Sequence, residues 1–542
     1  MKKLFEDTRL FDKAVREKFG LSEDVMMENA AASLENRVKY DVGTTPKTLI
    51  VCGSGDNGGD GYALSRRIPN CIVWSVKPPK SPSCICQKER AEKVGVHIFS
   101  GDVASFKSEF GFDAIGDKTS DDDSGISGKF DVVIDCIFGS GFHGEPDESV
   151  AEVIRFLNSL KAWKIACDVP SCLSCANASL RDDVFKAHST ATMGALKKIL
   201  YAEYSKDYVG DVYCSNLGVT RTVFEGLADS IGGVDAQQES AEMWLLEKAD
   251  FAPPKRKTEC VHKGSFGHGV ILTGEKHGAG IIAGEACFAY GAGLVTLVPS
   301  EKAAGQDATE QPEIICSPEL MIANELPKNT TAVAFGMGLG RGGPAEKAAQ
   351  AWLTQLSKLN VSCVLDADLF YTESLPKFLA DNCGKKRIVL TPHPKEFLSL
   401  LKICGLIDEK MPEASAGTSH ANAPSTTMDV NYVVKNRESL SAAFCKKYPG
   451  VVLLVKGASP LISTMKDGKI QEFVNTLGKN CLAKGGSGDV LSGLICALLA
   501  QGYTALNAAI QGSLAHSLAS ERITTSYGMT PFMLIDATRY LK

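Results

Sequence analysis

The sequence predicts an α/β protein of two domains. Three observations lead there: the length, the alternation of Val/Ile-rich runs with helical patterns, and the Gly-rich polar loops that follow those runs. At 542 residues the chain exceeds what one hydrophobic core organises, and its 44% hydrophobic content supplies material for two. Short apolar runs alternating with helices are the rhythm of a parallel sheet covered on both faces.

In chain order, Thr48-Leu49-Ile50-Val51 reads as a strand that runs into Gly53-Ser54-Gly55-Asp56-Asn57-Gly58-Gly59-Asp60-Gly61, with a helix through Ala63 to Arg67 behind it. Phe130 to Ile134 is a second strand, ending at Asp135 and opening into Phe138-Gly139-Ser140-Gly141. Lys164 to Cys167 is a third, ending at Asp168 before Val169-Pro170-Ser171. Ligands of open parallel sheets sit beyond the carboxyl ends of the strands, so a substrate is expected at these three loops. Glycine at five of the nine positions from 53 to 61 predicts backbone N–H groups approaching an anion at a helix N-terminus, although the spacing is not the ordinary dinucleotide fingerprint. The amide of Asn57 and the carboxylate of Asp60 point to chemistry beyond a tight turn. Residues 116–129, with Asp121-Asp122-Asp123 among Ser and Gly, read as a solvated insertion.

Between 220 and 258 the pattern weakens through Gly232-Gly233, a helical stretch around Trp244-Leu245-Leu246, and Pro253-Pro254-Lys255-Arg256-Lys257. This predicts domains at 1–224 and 255–542 with a linker at 225–254. The second domain restarts with a strand at Val270 to Thr273 and a small-residue helix from Gly280 to Tyr290. Further strands follow at 331–335, 361–365, 387–390 and 451–455. Residues 411–430, rich in Ala, Ser, Thr, Asn and Pro, read as a surface insertion. The sharpest feature is Asn475-Thr476 followed by Ala483-Lys484-Gly485-Gly486-Ser487-Gly488-Asp489. Its glycines open a helix whose free N–H groups can neutralise a phosphate, and Asp489 stands beside them as base or acid.

Composition narrows the function classes. The net charge of -6 is spread along the chain with no Lys/Arg block, so no nucleic-acid partner is expected. No apolar run reaches the roughly 18 residues that a membrane helix needs, and Met1-Lys2-Lys3 turns acidic too soon for a secretory signal. A cytoplasmic protein is expected. The 18 cysteines lie mostly in apolar runs, as free thiols of a reducing compartment do. Neither Cys84-Ile85-Cys86 nor Cys172-Leu173-Ser174-Cys175 finds the second pair a zinc site requires.

From about residue 8 to 220 the motifs resemble the N-terminal, Rossmann-like three-layer domain of the NAD(P)H-hydrate repair enzymes, whose loops read N-N-G-G-D-G, D-x-x-F-G-T-G and D-x-P-S-G. The corresponding residues are Asp56-Asn57-Gly58-Gly59-Asp60-Gly61, Asp135-Cys136-Ile137-Phe138-Gly139-Ser140-Gly141 and Asp168-Val169-Pro170-Ser171-Cys172; Met26-Met27-Glu28-Asn29-Ala30-Ala31 is similar to the family's opening helix. The resemblance implies an epimerase acting on a nicotinamide ring hydrated at C6. The ring nitrogen expels hydroxide to form an iminium, and re-addition from the other face inverts the carbon. It also implies potassium held by the oxygens of Asn57, Asp135 and Ser171, a donor set suited to a hard cation. Substrate contacts are implied at Asn57, Gly58, Gly59, Asp60, Gly61, Gly139, Ser140, Gly141, Phe142, His143, Gly144, Glu145 and Asp168. Asp168 would move the proton, its pKa raised by partial burial. Two positions depart from the family: Asp56 replaces an Asn, and Cys172 replaces a Gly. A Cβ disfavours φ > 0, so if that Gly uses the left-handed region a shifted loop is expected.

From about 255 to 540, His262-Lys263-Gly264-Ser265-Phe266-Gly267, Gly291-Ala292-Gly293, Gly336-Met337-Gly338-Leu339-Gly340, Asp366-Ala367-Asp368, Thr391-Pro392-His393-Pro394 and Val455-Lys456-Gly457-Ala458 accompany the Gly-Ser-Gly-Asp loop. Together they resemble the ribokinase-like α/β dehydratase domain of the same enzymes. The resemblance implies Asp489 as catalytic residue, substrate contacts at Ala279, Gly338, His393 and Asp489, and nucleotide contacts at Lys456, Gly457, Ala458, Ser459, Pro460 and Gly488. Pro460 stands where the family usually has Thr. ADP, with ATP as the other candidate, and Mg²⁺ would drive loss of the C6 hydroxyl by making it a better leaving group. The implied partners are the hydrates NADHX and NADPHX and an adenine nucleotide, and an assembly of identical chains is expected. The alternative is a ribokinase-like small-molecule kinase fused to a non-catalytic Rossmann-like binding domain, which would release a phosphorylated metabolite in place of NADH or NADPH.

Overall fold

The computed structural model describes residues 1–112, 126–174, 181–227, 242–300, 319–407 and 429–542; most of both expected insertions, 116–129 and 411–430, lies outside them. The chain forms two compact units, Lys3–Ser240 and Ala241–Lys542, the latter joined by Met1–Lys2.

The chain opens with β1 (Lys2–Leu4). The first unit then builds β2 (Thr48–Cys52), β3 (Cys71–Ser75), β4 (His97–Phe99), β5 (Ile126–Cys136), β6 (Leu160–Cys167), β7 (Ser189–Met193) and β8 (Asp211–Ser215). They form one sheet in the order β4-β3-β2-β5-β6-β7-β8, with every pair parallel. Strands covered on both faces need apolar side chains on both, and every residue of β2 is buried. Three helices shape the ligand end: α1 (Arg9–Phe19), α2 (Glu23–Asp41) and α3 (Asp56–Ser65). The Ser22 side chain caps α2 by accepting from Val25 N at 3.3 Å, and Glu23 and Asp24 suit its positive end.

α3 begins inside the glycine-rich stretch, at Asp56, so Gly58, Gly59 and Gly61 are buried helical residues. A Cβ on Gly61 would lie 2.6 Å from Cys52 Sγ and 2.9 Å from Cys136 Cβ. The bare backbone therefore lets α3 lie directly on β2 and β5. Four of the five glycines in the run, Gly53, Gly58, Gly59 and Gly61, thus serve close packing, and Gly55 alone has open space around it.

The second unit contains β9 (Glu242–Leu246), β10 (His268–Thr273), β11 (Leu294–Pro299), β12 (Met321–Ile322), β13 (Ala332–Phe335), β14 (Ser362–Leu365), β15 (Ile388–Leu390), β16 (Val452–Val455), β17 (Leu461–Lys466) and β18 (Lys469–Asn475). Their order is β9-β18-β17-β16-β15-β14-β13-β10-β11-β12, with β1 beyond β9. Pairing is parallel except for β16 with β17 and β17 with β18. The stretch around Trp244-Leu245-Leu246, read from the sequence as helical and as linker, is the strand β9, paired in parallel with β18 from Gln471↔Glu242 to Asn475↔Leu246. A short apolar run has no period that separates strand from helix, and here the free edge of β18 decides the outcome. Among the described residues no helix is long and apolar enough to cross a membrane, and the sixteen described cysteines are free thiols.

Candidate active sites

In the first unit, strand tips and helix starts enclose a cleft of about 740 Å³. Asn57, Asp60, Gly139, Ser140, Gly141, Phe142, His143 and Asp168 all line it, as the sequence led one to expect. Gly58, Gly59, Gly61, Gly144 and Glu145 are absent from its lining, and Glu145 instead meets Arg181 at 2.5 Å. Phe142 stacks on Phe138 with ring centroids 4.5 Å apart. Gly139 is the point of closest approach: a Cβ there would come within 3.0 Å of Asp168 Oδ2 and 3.4 Å of Asn57 Oδ1.

Asp168 follows β6 with φ 67, a left-handed conformation that costs a non-glycine residue on the order of 1–2 kcal/mol. Hydrogen bonds over-determine it. Oδ1 accepts from Lys197 Nζ at 2.6 Å, Met193 N at 3.1 Å and Thr192 Oγ1 at 3.4 Å, while Oδ2 accepts from Ser140 N at 3.0 Å. Burial pushes the carboxyl upward, but the Lys197 ammonium and these donors outweigh it and hold the group below the ordinary carboxylate range. The expectation that burial raises the Asp168 pKa is thus corrected, because a buried cation was not visible beside it in the sequence. Lys197 is 1% exposed and also donates to Thr192 Oγ1 and to the Met193 carbonyl, each at 3.1 Å.

Cys172 likewise adopts φ 67 and is buried. The cysteine takes the left-handed conformation itself, the region its Cβ was expected to disfavour. Beneath the loop, Asp135 and Ser171 are locked together. Ser171 Oγ donates to Asp135 Oδ1 at 2.6 Å, Ser171 N to Oδ2 at 2.8 Å, and Phe138 N to Ser171 Oγ at 2.9 Å. Burial raises Asp135 to about 6 against the pull of the Ser171 bonds. Asn57 has its Nδ2 buried without a hydrogen-bond partner. The carboxylate, hydroxyl and amide oxygens are of the kind a hard cation takes, whereas the unpartnered Nδ2 is a donor that calls for an acceptor.

In the second unit, Gly486 sits at φ 88 as N-cap of the helix Ser487–Ala500, which places Gly488 and Asp489 in its first turn. Lys456, just beyond β16, brings Nζ to 3.2 Å from where a Gly488 Cβ would lie. The same Nζ donates to Asp366 Oδ1 at 2.9 Å and lies 3.8 Å from Glu396 Oε2. Burial works against the Lys456 charge, yet Asp366 and Glu396 carry its pKa above the ordinary value. Burial, then Asp366 and Glu396, raise Asp489 to about 7, with Lys456 pulling the other way. His393 caps the helix Pro394–Ile403: Nδ1 accepts from Lys395 N at 3.1 Å and Glu396 N at 3.3 Å, and Nε2 lies 3.1 Å from Glu396 Oε1. Lys456, Gly488, Asp489 and His393 are therefore brought together through Glu396.

Gly338, at φ 64, packs beside Ala279, whose Cβ would lie 3.3 Å from a Cβ at 338. Gly457 and Ala458 are exposed. Ser459 is fully buried with its carbonyl accepting from Arg437 Nη1 at 2.8 Å, and the Pro460 carbonyl accepts from Asn475 N at 3.0 Å. Asn475 itself is a core residue, donating to Ser513 Oγ at 2.9 Å and Ser517 Oγ at 3.1 Å. Sequence reasoning missed Lys197 and the bridging role of Glu396. The one available signal for Lys197 was a lysine four residues beyond the end of the buried strand β7, after Gly194-Ala195-Leu196.

Residues 269–540 match the family model described as NAD(P)H-hydrate dehydratase, and residues 23–199 match that described as YjeF-related protein N-terminus. The chain is 36% identical to a bifunctional NAD(P)H-hydrate repair enzyme of Helicobacter pylori, covering 100% of both chains. It is 27% identical to the enzyme of that name from Escherichia coli, over 90% of this chain and 83% of the other. Among solved structures, an ADP/ATP-dependent NAD(P)H-hydrate dehydratase from Bacillus subtilis, co-crystallised with ATP/Mg²⁺, is 23% identical, covers 54% of this chain and 93% of that chain, and has a TM-score of 0.39.

Proposed function

The chain belongs to the bifunctional NAD(P)H-hydrate repair enzymes, and from that premise we propose that its first unit interconverts the C6 epimers of hydrated NADH and NADPH while its second dehydrates one of them at the expense of an adenine nucleotide. The observation that carries this reading is a pair of carboxyls in opposite states, one in each unit. Asp168 is held ionised by Lys197, and Asp489 is raised to about 7 beside a glycine-opened helix start.

In the first unit Asp168 serves the proton traffic at C6, with Ser140 N and Gly139 keeping Oδ2 at the cleft wall. Asn57, Asp135 and Ser171 would hold potassium, which when bound supplies a fixed positive charge. In the second unit the N–H groups at Ser487 and Gly488, with the Lys456 ammonium, face the phosphates, and Mg²⁺ would arrive with the nucleotide. Asp489 takes the proton of the C6 hydroxyl as it attacks the terminal phosphoryl group. Elimination of phosphate, with loss of a C5 proton, then restores the dihydropyridine. Lys456 to Pro460 are assigned to the nucleotide, and Ala279, Gly338 and His393 to the hydrated cofactor.

The test is incubation of the full chain with mixed R and S hydrates, ADP or ATP, Mg²⁺ and K⁺. Complete recovery of reduced cofactor, followed by absorbance, is expected. Recovery that halts near half would remove the epimerase assignment, and a stable phosphorylated product without reduced cofactor would remove the dehydratase.

A further inference from the structure

Inverting one carbon through an iminium requires two proton carriers in opposite states. One must be protonated, so that hydroxide leaves as water; the other must be ionised, to accept a proton from the water arriving on the far face. Given the epimerase reading above, the Lys197 ion pair makes Asp168 the ionised member. The protonated member has not been assigned.

Four other carboxyls line the cleft, Asp12, Glu23, Asp56 and Asp60; Glu23 is paired with Arg16 and Asp56 is exposed, which leaves Asp12 and Asp60, both partly exposed, for that role. Asp60 projects from α3, where the Cys167 thiol approaches its Oδ2 at 3.7 Å. Burial, reinforced by Asp168 and Asp56, pushes its pKa well above the ordinary carboxylate value, and the Cys167 contact already engages its Oδ2. Asp12 is different. α1 carries it onto the cleft wall, and its carboxyl forms no hydrogen bond or ion pair among the described residues, whereas Asp168 is held by four donors. The charged groups around Asp12 are Lys197 and Asp168, Asp56 at the start of α3, Asp7 just before its own helix, and Arg9, Lys13 and Arg16 on that helix, which line the same cleft. Burial raises Asp12 to about 7 against the pull of Lys197, with the three carboxylates adding to the rise. A carrier works best when its pKa lies near the working pH. Asp12 also lies outside the segment 23–199 that matches the family model.

We propose that Asp12 is the second proton carrier of the epimerase, the partner of Asp168 across the ring. Asp12 delivers its proton to the C6 hydroxyl, the C6–O bond breaks, the ring nitrogen lone pair forms C6=N⁺, and water departs. A second water bonds to C6 from the opposite face, the nitrogen recovers its pair, and Asp168 takes the surplus proton. Solvent exchange returns that proton to Asp12. Nothing is oxidised or reduced, and the reverse direction uses the same groups in exchanged roles.

The experiment compares the full-length Asp12→Asn and wild-type chains, following interconversion of separated R and S hydrates without nucleotide across a range of pH. Wild-type kcat should fall as the pH rises through about 7, where Asp12 gives up its proton. Asp12→Asn should lower kcat by about 10²–10⁴-fold, leave KM within a few fold, and abolish the alkaline fall in the residual rate. Dehydration of the S hydrate by the same protein should be unchanged, which reports on folding, and Asp12→Glu should recover part of the rate. A near-wild-type kcat in Asp12→Asn, a loss confined to KM, or an alkaline fall that persists would each overturn the proposal. If the wild-type chain leaves the epimers unconverted, the epimerase reading itself falls, a result distinct from an active wild type with an active variant.

Discussion

Asp168 and Asp489 are the same residue type, one buried and one half-buried, and the cations within reach set them apart. Lys197 pairs with Asp168 at 2.6 Å, whereas Lys456 is drawn to Asp366 at 2.9 Å and leaves Asp489 facing the like charges of Asp366 and Glu396. The consequences for stability have opposite sign. Asp168, depressed below its unfolded value, stabilises its unit above the unfolded pKa, and that contribution is lost as pH falls through the folded pKa. Asp489, raised to about 7, binds its proton more tightly in the folded state, so the second unit loses stability as pH rises from the ordinary carboxylate range toward 7. Asp489→Asn should therefore abolish dehydration while raising the melting temperature of the second unit more at pH 8 than at pH 4. The stabilisation is on the order of 2 kcal/mol after allowing for partial exposure. A variant equally stabilised at both pH values would show that Asp489 is not raised. Removing the cation in the other unit should do the reverse. Lys197→Met leaves a buried carboxylate unpaired at a cost of about 3–5 kcal/mol, and calorimetry should show the first unit's transition lowered with the second's unmoved. Neither lysine–carboxylate geometry was readable from the chain, because Lys197 and Asp168 are 29 positions apart and only the return of β7 beside β6 brings them together.

At the scale of elements, the strands that bear the site were the legible part. β2 and β5 end in Val/Ile-rich runs and β6 in Ile165-Ala166-Cys167, with Gly53, Asp135 and Asp168 at or just past the strand ends, and burial on both faces of a parallel sheet leaves that mark in a sequence. The glycines were legible as special but not as to purpose: a missing Cβ serves a phosphate, a turn or a close helix contact alike, and only the start of α3 at Asp56 separates these. The helix Ser487–Ala500 shows two of these uses in one element. Gly486 provides the left-handed start, where a Cβ would also meet Pro531 Cγ at 2.5 Å. Gly493, one face further along, lets the helix cross His277–Ala289, for a Cβ there would come 2.2 Å from the Ala283 carbonyl oxygen and 2.7 Å from Ala286 Cβ. Gly493→Ala gains about 1 kcal/mol of helix propensity but must separate two packed backbones, and overpacking of this kind costs about 1–3 kcal/mol or more. The expected outcome is a net loss of stability in the second unit, with dehydration impaired as Asp489 and Gly488 move with their helix, and epimerisation unaffected. A more stable protein with unchanged dehydration would show that the crossing is looser than the 2.2 Å approach requires.

At the scale of the whole molecule, the described residues named for each candidate centre fall within one compact unit. The cleft residues from Thr8 to Leu217 fall inside Lys3–Ser240, and Ala279, Gly338, His393, Lys456 and Asp489 inside Ala241–Lys542. None of the described residues named for one centre belongs to the other unit, so on this reading the two steps need to share only a small molecule that diffuses between them. That independence makes lesions in the two units complementary in solution. Chains carrying Asp168→Asn should convert only the dehydratable epimer of a mixed hydrate, and chains carrying Asp489→Asn should equilibrate the epimers without yielding reduced cofactor. An equimolar mixture of the two should return all of the hydrate as NADH or NADPH, at a rate that rises with the concentration of whichever variant is limiting. The double variant should return none. Failure of the mixture to exceed the Asp168→Asn chain alone would mean that the epimer passes between units of one chain without release, and that placing each centre's residues in one unit does not make the units independent.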